Sequence, residues 1–104
     1  MTLNIRHNGL ELTPAIKQYV EEKIESLSKY LDSITHVDVE VGKKNSHETY
    51  CKVNVQIAGE VIQMERSDED LYKAIDKVKD HLRVEITDWK KRMEDRRNTS
   101  EEAV

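Results

Sequence analysis

The sequence predicts an α+β fold: a two-layer sandwich of one four-stranded sheet with two helices packed on one of its faces. Three observations predict it. The periodic segments fall in the order β-α-β-β-β-α. The last three strands are joined by short polar turns, which makes them an antiparallel meander. Each helical segment carries one apolar stripe, and two such helices can cover only one face of a small sheet. The other face is left to solvent, in keeping with the Asp, Glu, Lys, Asn and Gln at alternate strand positions.

The elements follow in chain order. From Met1 to His7, Leu3 and Ile5 alternate with Asn4 and Arg6, the pattern of a half-buried strand. Asn8-Gly9 breaks it. Thr13-Pro14 starts a helix, with Thr as N-cap and Pro in the first turn, where its missing N–H costs nothing. Ile16, Val20, Ile24, Leu27 and Leu31 mark its core stripe, and its end falls near Tyr30–Asp32. Val37, Val39 and Val41 alternate with Asp38 and Glu40 in a second strand. Gly42 to His47 is a polar turn with two lysines. Cys51, Val53, Val55 and Ile57 share one side of a third strand, opposite Tyr50, Lys52, Asn54 and Gln56. Ala58-Gly59-Glu60 signals a tight hairpin, because Gly supplies positive φ. The fourth strand runs from Val61 to Arg66, and its inward set is either Val61 and Gln63 or Ile62 and Met64.

The last helix organises the chain. Ser67 followed by Asp70 reads as a capping box, and the acids Asp68, Glu69 and Asp70 suit the positive end of the helix dipole. Behind it Leu71, Ile75, Val78, Leu82, Ile86, Trp89 and Met93 lie within roughly 80° of one another at about 100° per residue. No Gly or Pro interrupts them. On the same wheel Lys79, Arg83, Lys90 and Arg97 share one flank, while Lys73, Lys77 and Lys91 point away from the core. One reading is a solvated face laced with pairs between the lysines and Asp76 or Asp80. The other is a phosphate-binding surface, since a row of cations along a helix can follow a nucleic-acid backbone.

Composition sets further bounds. The 104 residues make one domain with one modest core. There is no Phe, so Leu, Ile and Val build that core with Trp89 and a few Tyr. The net charge of −4 argues against a generic nucleic-acid binder, yet cations outnumber acids in residues 71–97 and acids outnumber cations in residues 1–70. The single Cys51 cannot form an internal disulfide and fits a reducing cytoplasm. Neither a signal peptide nor a membrane-length apolar run is expected. His7, His36, His47 and His81 lack paired-ligand spacing, so no metal or cofactor is expected. Cys51, at an inward strand position, reads as a small core residue rather than a nucleophile.

Ser-x-x-Asp-Leu-Tyr-x-Ala-Ile-Asp-Lys at Ser67–Lys77, together with Leu-Thr-Pro-Ala-Ile-Lys-Gln-Tyr-Val at Leu12–Val20, resembles the ribosome hibernation promoting factor and ribosome-associated inhibitor family. The likeness covers residues 1–97 in order and spacing. It implies a βαβββα fold similar to double-stranded RNA-binding domains. It also implies binding to the small ribosomal subunit at the subunit interface, in the channel of mRNA and tRNA, with translation silenced in stationary phase or stress. Promotion of ribosome dimers and silencing of single ribosomes both stay open. Long members carry a second, dimerising domain, and this chain resembles the short form. Residues 1–97 are then the ribosome-binding domain and 98–104 a flexible polar tail. Where the family's last helix often continues Lys-Leu-x-Arg-Gln-Leu-x-Lys, this chain has His81-Leu82-Arg83-Val84-Glu85-Ile86-Thr87-Asp88, so three usual cation positions carry His81, Val84 and Asp88.

Such a protein needs no catalyst and no small-molecule substrate, because occupancy alone excludes tRNA and mRNA. Cations supply affinity for rRNA phosphates and shape selects the site. The candidate RNA contacts are Lys23, Lys77, Lys79, Arg83, Lys90 and Lys91, with Arg6, Lys43 and Lys44 secondary. The free protein is expected to be a cytoplasmic monomer. Tyr72 reads as a helix-start packing residue before it reads as a stacking platform for a base. A competing reading from another class is a protein–protein module that uses the open sheet face.

Overall fold

The structure, a computed structural model, describes residues 1–28 and 32–102. Its elements are β1 (Thr2–Asn8), α1 (Pro14–Ser28), β2 (Ile34–Lys43), β3 (Thr49–Ile57), β4 (Glu60–Asp68) and α2 (Leu71–Glu102). The sheet order is β1-β2-β3-β4. β1 runs parallel to β2, and the other two pairings are antiparallel. The expected α+β sandwich and its meander are thus present, with β1 added at the outer edge of β2. Lys29, Tyr30 and Leu31, where the sequence places the end of α1, lie outside the described residues.

The strand alternation decides which face is dry. Val37, Val39, Val41, Cys51, Val53, Val55 and Ile57 are buried on the helix side of the sheet. On β4 the inward set is Ile62 and Met64, while Val61 stands in solvent. The core closes against Val20, Ile24 and Leu27 of α1 and against Leu71, Ile75, Val78, Leu82, Ile86 and Trp89 of α2. Ala74 is fully buried as well, a position too small to stand out in the apolar pattern. α2 packs on β3 and β4 and touches α1 along its side.

Two turns are held by backbone requirements. Ala58 and Gly59 both adopt positive φ, at 47° and 83°. That is the pairing a two-residue type I′ hairpin needs, because its twist matches that of the strands. The sequence shows the Gly half of this turn only. Gly42 has a different reason. A Cβ there would lie 2.6 Å from the Asn8 carbonyl oxygen and 2.7 Å from the Tyr50 ring. Tyr50 lies over the glycine on the open face of the sheet and is only 9% exposed. Its hydroxyl donates to Glu40 Oε2 at 2.7 Å.

α2 extends beyond the sequence-based boundary. The helix continues through Asn98, where a frayed tail is expected, to Glu102. Nothing in Asn98-Thr99-Ser100 removes a backbone donor or forces a turn. Its 32 residues make a rod of about 48 Å, against about 33 Å for a ten-residue strand. The last turns therefore run past the sheet. The stripe ends where the support ends: Trp89 is buried, Met93 half-buried, and Glu94 to Arg96 are exposed.

Gly42→Ala should force Tyr50 off the sheet and destabilise the fold by about 1–3 kcal/mol, as overpacking does. A thermal melt reads this. An unchanged midpoint would mean that the Tyr50 ring is not fixed over Gly42.

Candidate nucleic-acid interface

Both helices begin at the same end of the sheet. β1 and β4 each arrive there, β1 through the turn at Gly9 and β4 through Asp68-Glu69-Asp70. The β2–β3 turn, with Lys43 and Lys44, closes that end too, folded by the Asn45 side chain accepting the His47 and Glu48 amides at 2.8 and 2.9 Å. α1 is capped as its sequence predicts: Thr13 Oγ1 accepts the Ile16 amide at 3.2 Å.

α2 is capped differently from expectation. Ser67 is not the cap, because β4 keeps pairing with β3 through Asp68, opposite Thr49. Thr49 Oγ1 donates to the Asp68 carbonyl at 2.8 Å and seals that pairing. The helix can begin only after it. Asp70 is the cap: its Oδ1 accepts the Tyr72 amide at 2.9 Å and its carbonyl accepts the Ala74 amide at 3.1 Å. Asp68 Oδ1 in turn accepts the Asp70 amide at 3.0 Å. That amide, with the Lys77 ammonium 2.8 Å away, holds the Asp68 carboxyl below the usual carboxylate range.

The candidate cations separate into groups. Lys77 is tied to the start of the helix by Asp68 and by the Ser67 carbonyl at 3.3 Å. Lys23 of α1 lies 3.7 Å from Asp76 Oδ1 and 5.0 Å from the centre of the Tyr19 ring. Both therefore face a carboxylate of their own. Lys79 is half-buried beside the stripe, Arg83 and Lys90 continue its flank in the open, and Lys91 is exposed on the outer face. Lys79, Lys90 and Lys91 have no ion-pair partner among the described residues. Arg6 is on the other side of the molecule, on the open sheet face, 3.8 Å from Glu40. The Arg97 side chain lies outside the described ones. The structure thus gathers Lys79, Arg83, Lys90 and Lys91 along α2, sets Lys43 and Lys44 at its starting end, and leaves Arg6 apart.

Two clusters escape a reading by sequence spacing. Tyr19 of α1 donates to Asp76 Oδ1 at 2.5 Å and meets the Tyr72 ring edge-on, with centroids 4.9 Å apart and planes at 81°. The other flank of α2 joins β4, where the Arg66 guanidinium contacts His81 Nδ1 and His81 Nε2 lies 3.4 Å from Glu85. In both, partners come from different elements. Their only trace in the sequence is a polar residue beside an apolar stripe.

Cys51 offers no nucleophile, since burial pushes its thiol up to about 12. Among the described residues no group of three or more His, Cys, Asp or Glu could hold a metal, and no helix is long and apolar enough to cross a membrane.

These features define a βαβββα domain with a cation-lined helix layer. The chain belongs to the family described as Sigma 54 modulation protein / S30EA ribosomal protein, which matches residues 3–94. It is 36% identical over 88 residues to the ribosome hibernation promotion factor of Bacillus subtilis, covering 83% of this chain and 47% of that protein. It is 30% identical over 96 residues to the ribosome hibernation promoting factor of Azotobacter vinelandii, covering 92% of this chain and 89% of that protein. The chain spans about half the length of several of the curated relatives it matches. The crystal structure of the Thermus thermophilus Protein Y N-terminal domain superposes with a TM-score of 0.77 at 28% identity, over 86% of this chain and 99% of that one. The Bacillus and Azotobacter relatives are ribosome hibernation factors by name, and none of these proteins is named as an enzyme.

The Tyr19–Asp76 bond has a measurable consequence. The Asp76 carboxylate accepts the phenol proton and, with burial, pushes the Tyr19 pKa up to about 12. The neutral phenol is the form that folding favours. Its contribution is complete below the unfolded value near 10 and declines as pH rises from there towards 12. In an ultraviolet titration the last phenolate should therefore appear well above pH 10, and Tyr19→Phe should remove that late component. A single common midpoint for all tyrosines would contradict the bond.

Proposed function

We propose that this chain acts as a ribosome hibernation factor. Residues 1–97 form the domain that binds the small ribosomal subunit at the subunit interface. There it fills the channel used by mRNA and tRNA and silences translation in stationary phase or stress. The observation that carries this reading is the family match over residues 3–94. It includes both the Thr13-Pro14 start of α1 and the Asp70–Asp76 start of α2.

The geometry supports the same reading. The stripe of α2 fixes Lys79, Arg83 and Lys90 on one flank and Lys91 on the outer face, on a helix that projects past the sheet. Such a row can meet successive rRNA phosphates, while the shape of the sandwich selects the place. Lys43 and Lys44 offer a second contact at the end where the helices begin. Lys23 and Lys77 first have to exchange Asp76 and Asp68 for phosphate, so they contribute less. Inhibition is steric. It needs no cofactor and no covalent change, and it falls as initiator tRNA and mRNA are raised, because the two occupants exclude each other. The protein works in the cytoplasm and is a monomer until it meets the ribosome.

Sedimentation with salt-washed ribosomes tests this. Binding should weaken with salt, as each neutralised phosphate releases counterions. Lys79→Ala with Lys90→Ala should lower affinity about tenfold and reduce the slope of log K against log salt by about 2, near one per lost phosphate contact. Its melting point should barely move, because neither ammonium has an ion-pair partner among the described residues and surface charges contribute about 0–1 kcal/mol. Salt-independent binding, or no binding to active ribosomes, refutes the reading. The same gradients read whether ribosomes become paired or stay single.

A further inference from the structure

Tyr72 stands apart from the rest of the aromatic side chains. It is 38% exposed and is the one aromatic residue among the large apolar side chains left open to solvent in the described residues. The core does not need it, since Leu71 beside it fills the first turn of the stripe. Its phenol makes no hydrogen bond among the described residues.

Its ring is nonetheless held in place. The Tyr72 amide is fixed by the Asp70 cap. Its ring meets Tyr19 edge-to-face, and Tyr19 is itself pinned by its bond to Asp76 and by the Lys23 ammonium over its face. In a T-shaped pair one ring gives an edge and the other a face. Whichever ring gives the edge, at least one face of Tyr72 lies outside the pair. A pinned aromatic face has little rotational freedom left to lose when something stacks on it. Lys73 is the next residue of the helix, and Lys79 shares the flank two turns on. A ligand stacked on this ring therefore has Lys79 further along the same flank to take a neighbouring phosphate.

We propose that Tyr72 is a stacking platform for an unpaired nucleobase, with Tyr19, Asp76 and Lys23 as the residues that position it. The proposal rests on the ribosome reading and deepens it. The lysines take phosphates without regard to sequence, while Tyr72 requires a base that is free of its helix, which RNA offers in loops and single strands. This would account for one local preference of a surface that is otherwise purely electrostatic.

The test compares the protein with Tyr72→Phe and Tyr72→Leu by thermal melting and by affinity for salt-washed small subunits across a salt series. Tyr72→Phe should bind like the parent. Tyr72→Leu should bind roughly 5- to 100-fold more weakly, with its melting point and salt slope unchanged, because no phosphate contact is lost. The loss should be present on vacant subunits, because message and protein exclude each other and the base must then belong to rRNA. Equal binding by Tyr72→Leu overturns the proposal. So does a loss of affinity matched by a loss of melting temperature, which would make the ring structural. Failure of the parent protein to bind any subunit refutes the ribosome reading itself, a different outcome from the parent and Tyr72→Leu binding alike.

Discussion

The burial of one helical stripe against β3 and β4 sets the rotation of α2, and every charged side chain on that helix inherits its direction from it. Leu71, Val78, Leu82, Ile86 and Trp89 are all under a tenth exposed. Turning the helix by one residue, about 100°, would bury Lys79 or Glu85 in their place. The desolvation of either charge would cost several kcal/mol. The cation row is therefore placed by apolar packing, and no contact among the cations themselves is needed to hold it. This separation explains how exposed lysines can change without disturbing the fold.

Electrostatics divides the same helix along its length. Near its start, carboxylates meet the cations: Asp68 holds Lys77 and Asp76 holds Lys23. Acids here also suit the positive end of the dipole and cap the first turn. Past Val78 the sheet-side flank carries a link from His81 to Glu85, while Lys79, Lys90 and Lys91 have no ion-pair partner among the described residues. A chain of net charge −4 thus uses carboxylates to order the helix start, and further along α2 carries its cations among Asp80, Asp88, Glu94 and Asp95 with a local excess of positive charge. Overall charge says little about partners when local excesses of either sign coexist on one chain.

Element type and order were legible because each element carries its own period. The valines of β2 and β3 repeat every second residue and the α2 stripe every third or fourth, so sheet face and helix rotation followed. Boundaries were less legible. Ser67 has the chemistry of a cap, yet the β4 ladder reaches Asp68 and moves the cap to Asp70, a tertiary constraint absent from local spacing. The tail after Asn98 looked frayed by composition, while the helix needs only the absence of a breaker to continue. On the candidate surface the sequence could list cations but not their partners. Asp76 and Lys23 are far apart in the chain and meet only when α1 and α2 lie side by side. His81 and Arg66 meet in the same way across α2 and β4.

The two faces of the sandwich differ in how their polar groups are satisfied. On the open sheet face Arg6, Glu40, Lys52 and Glu65 stand opposite one another across all four strands. Their signs alternate, so each charge has an opposite charge as its cross-strand neighbour, and Arg6 comes within 3.8 Å of Glu40. Asn4, Asp38, Asn54 and Gln63 form the next row, and Tyr50 covers the gap at Gly42. That face sets its charges against one another, while Asn54 Oδ1 is buried in it without a hydrogen-bond partner. The outer side of α2 has no such partner strand. A helix offers neighbours only along its own turns, where Asp88, Glu94 and Asp95 stand three or four residues from Lys90 or Lys91. The difference follows from topology: a sheet sets its charges side by side between strands, whereas a helix sets them one turn apart along a single chain.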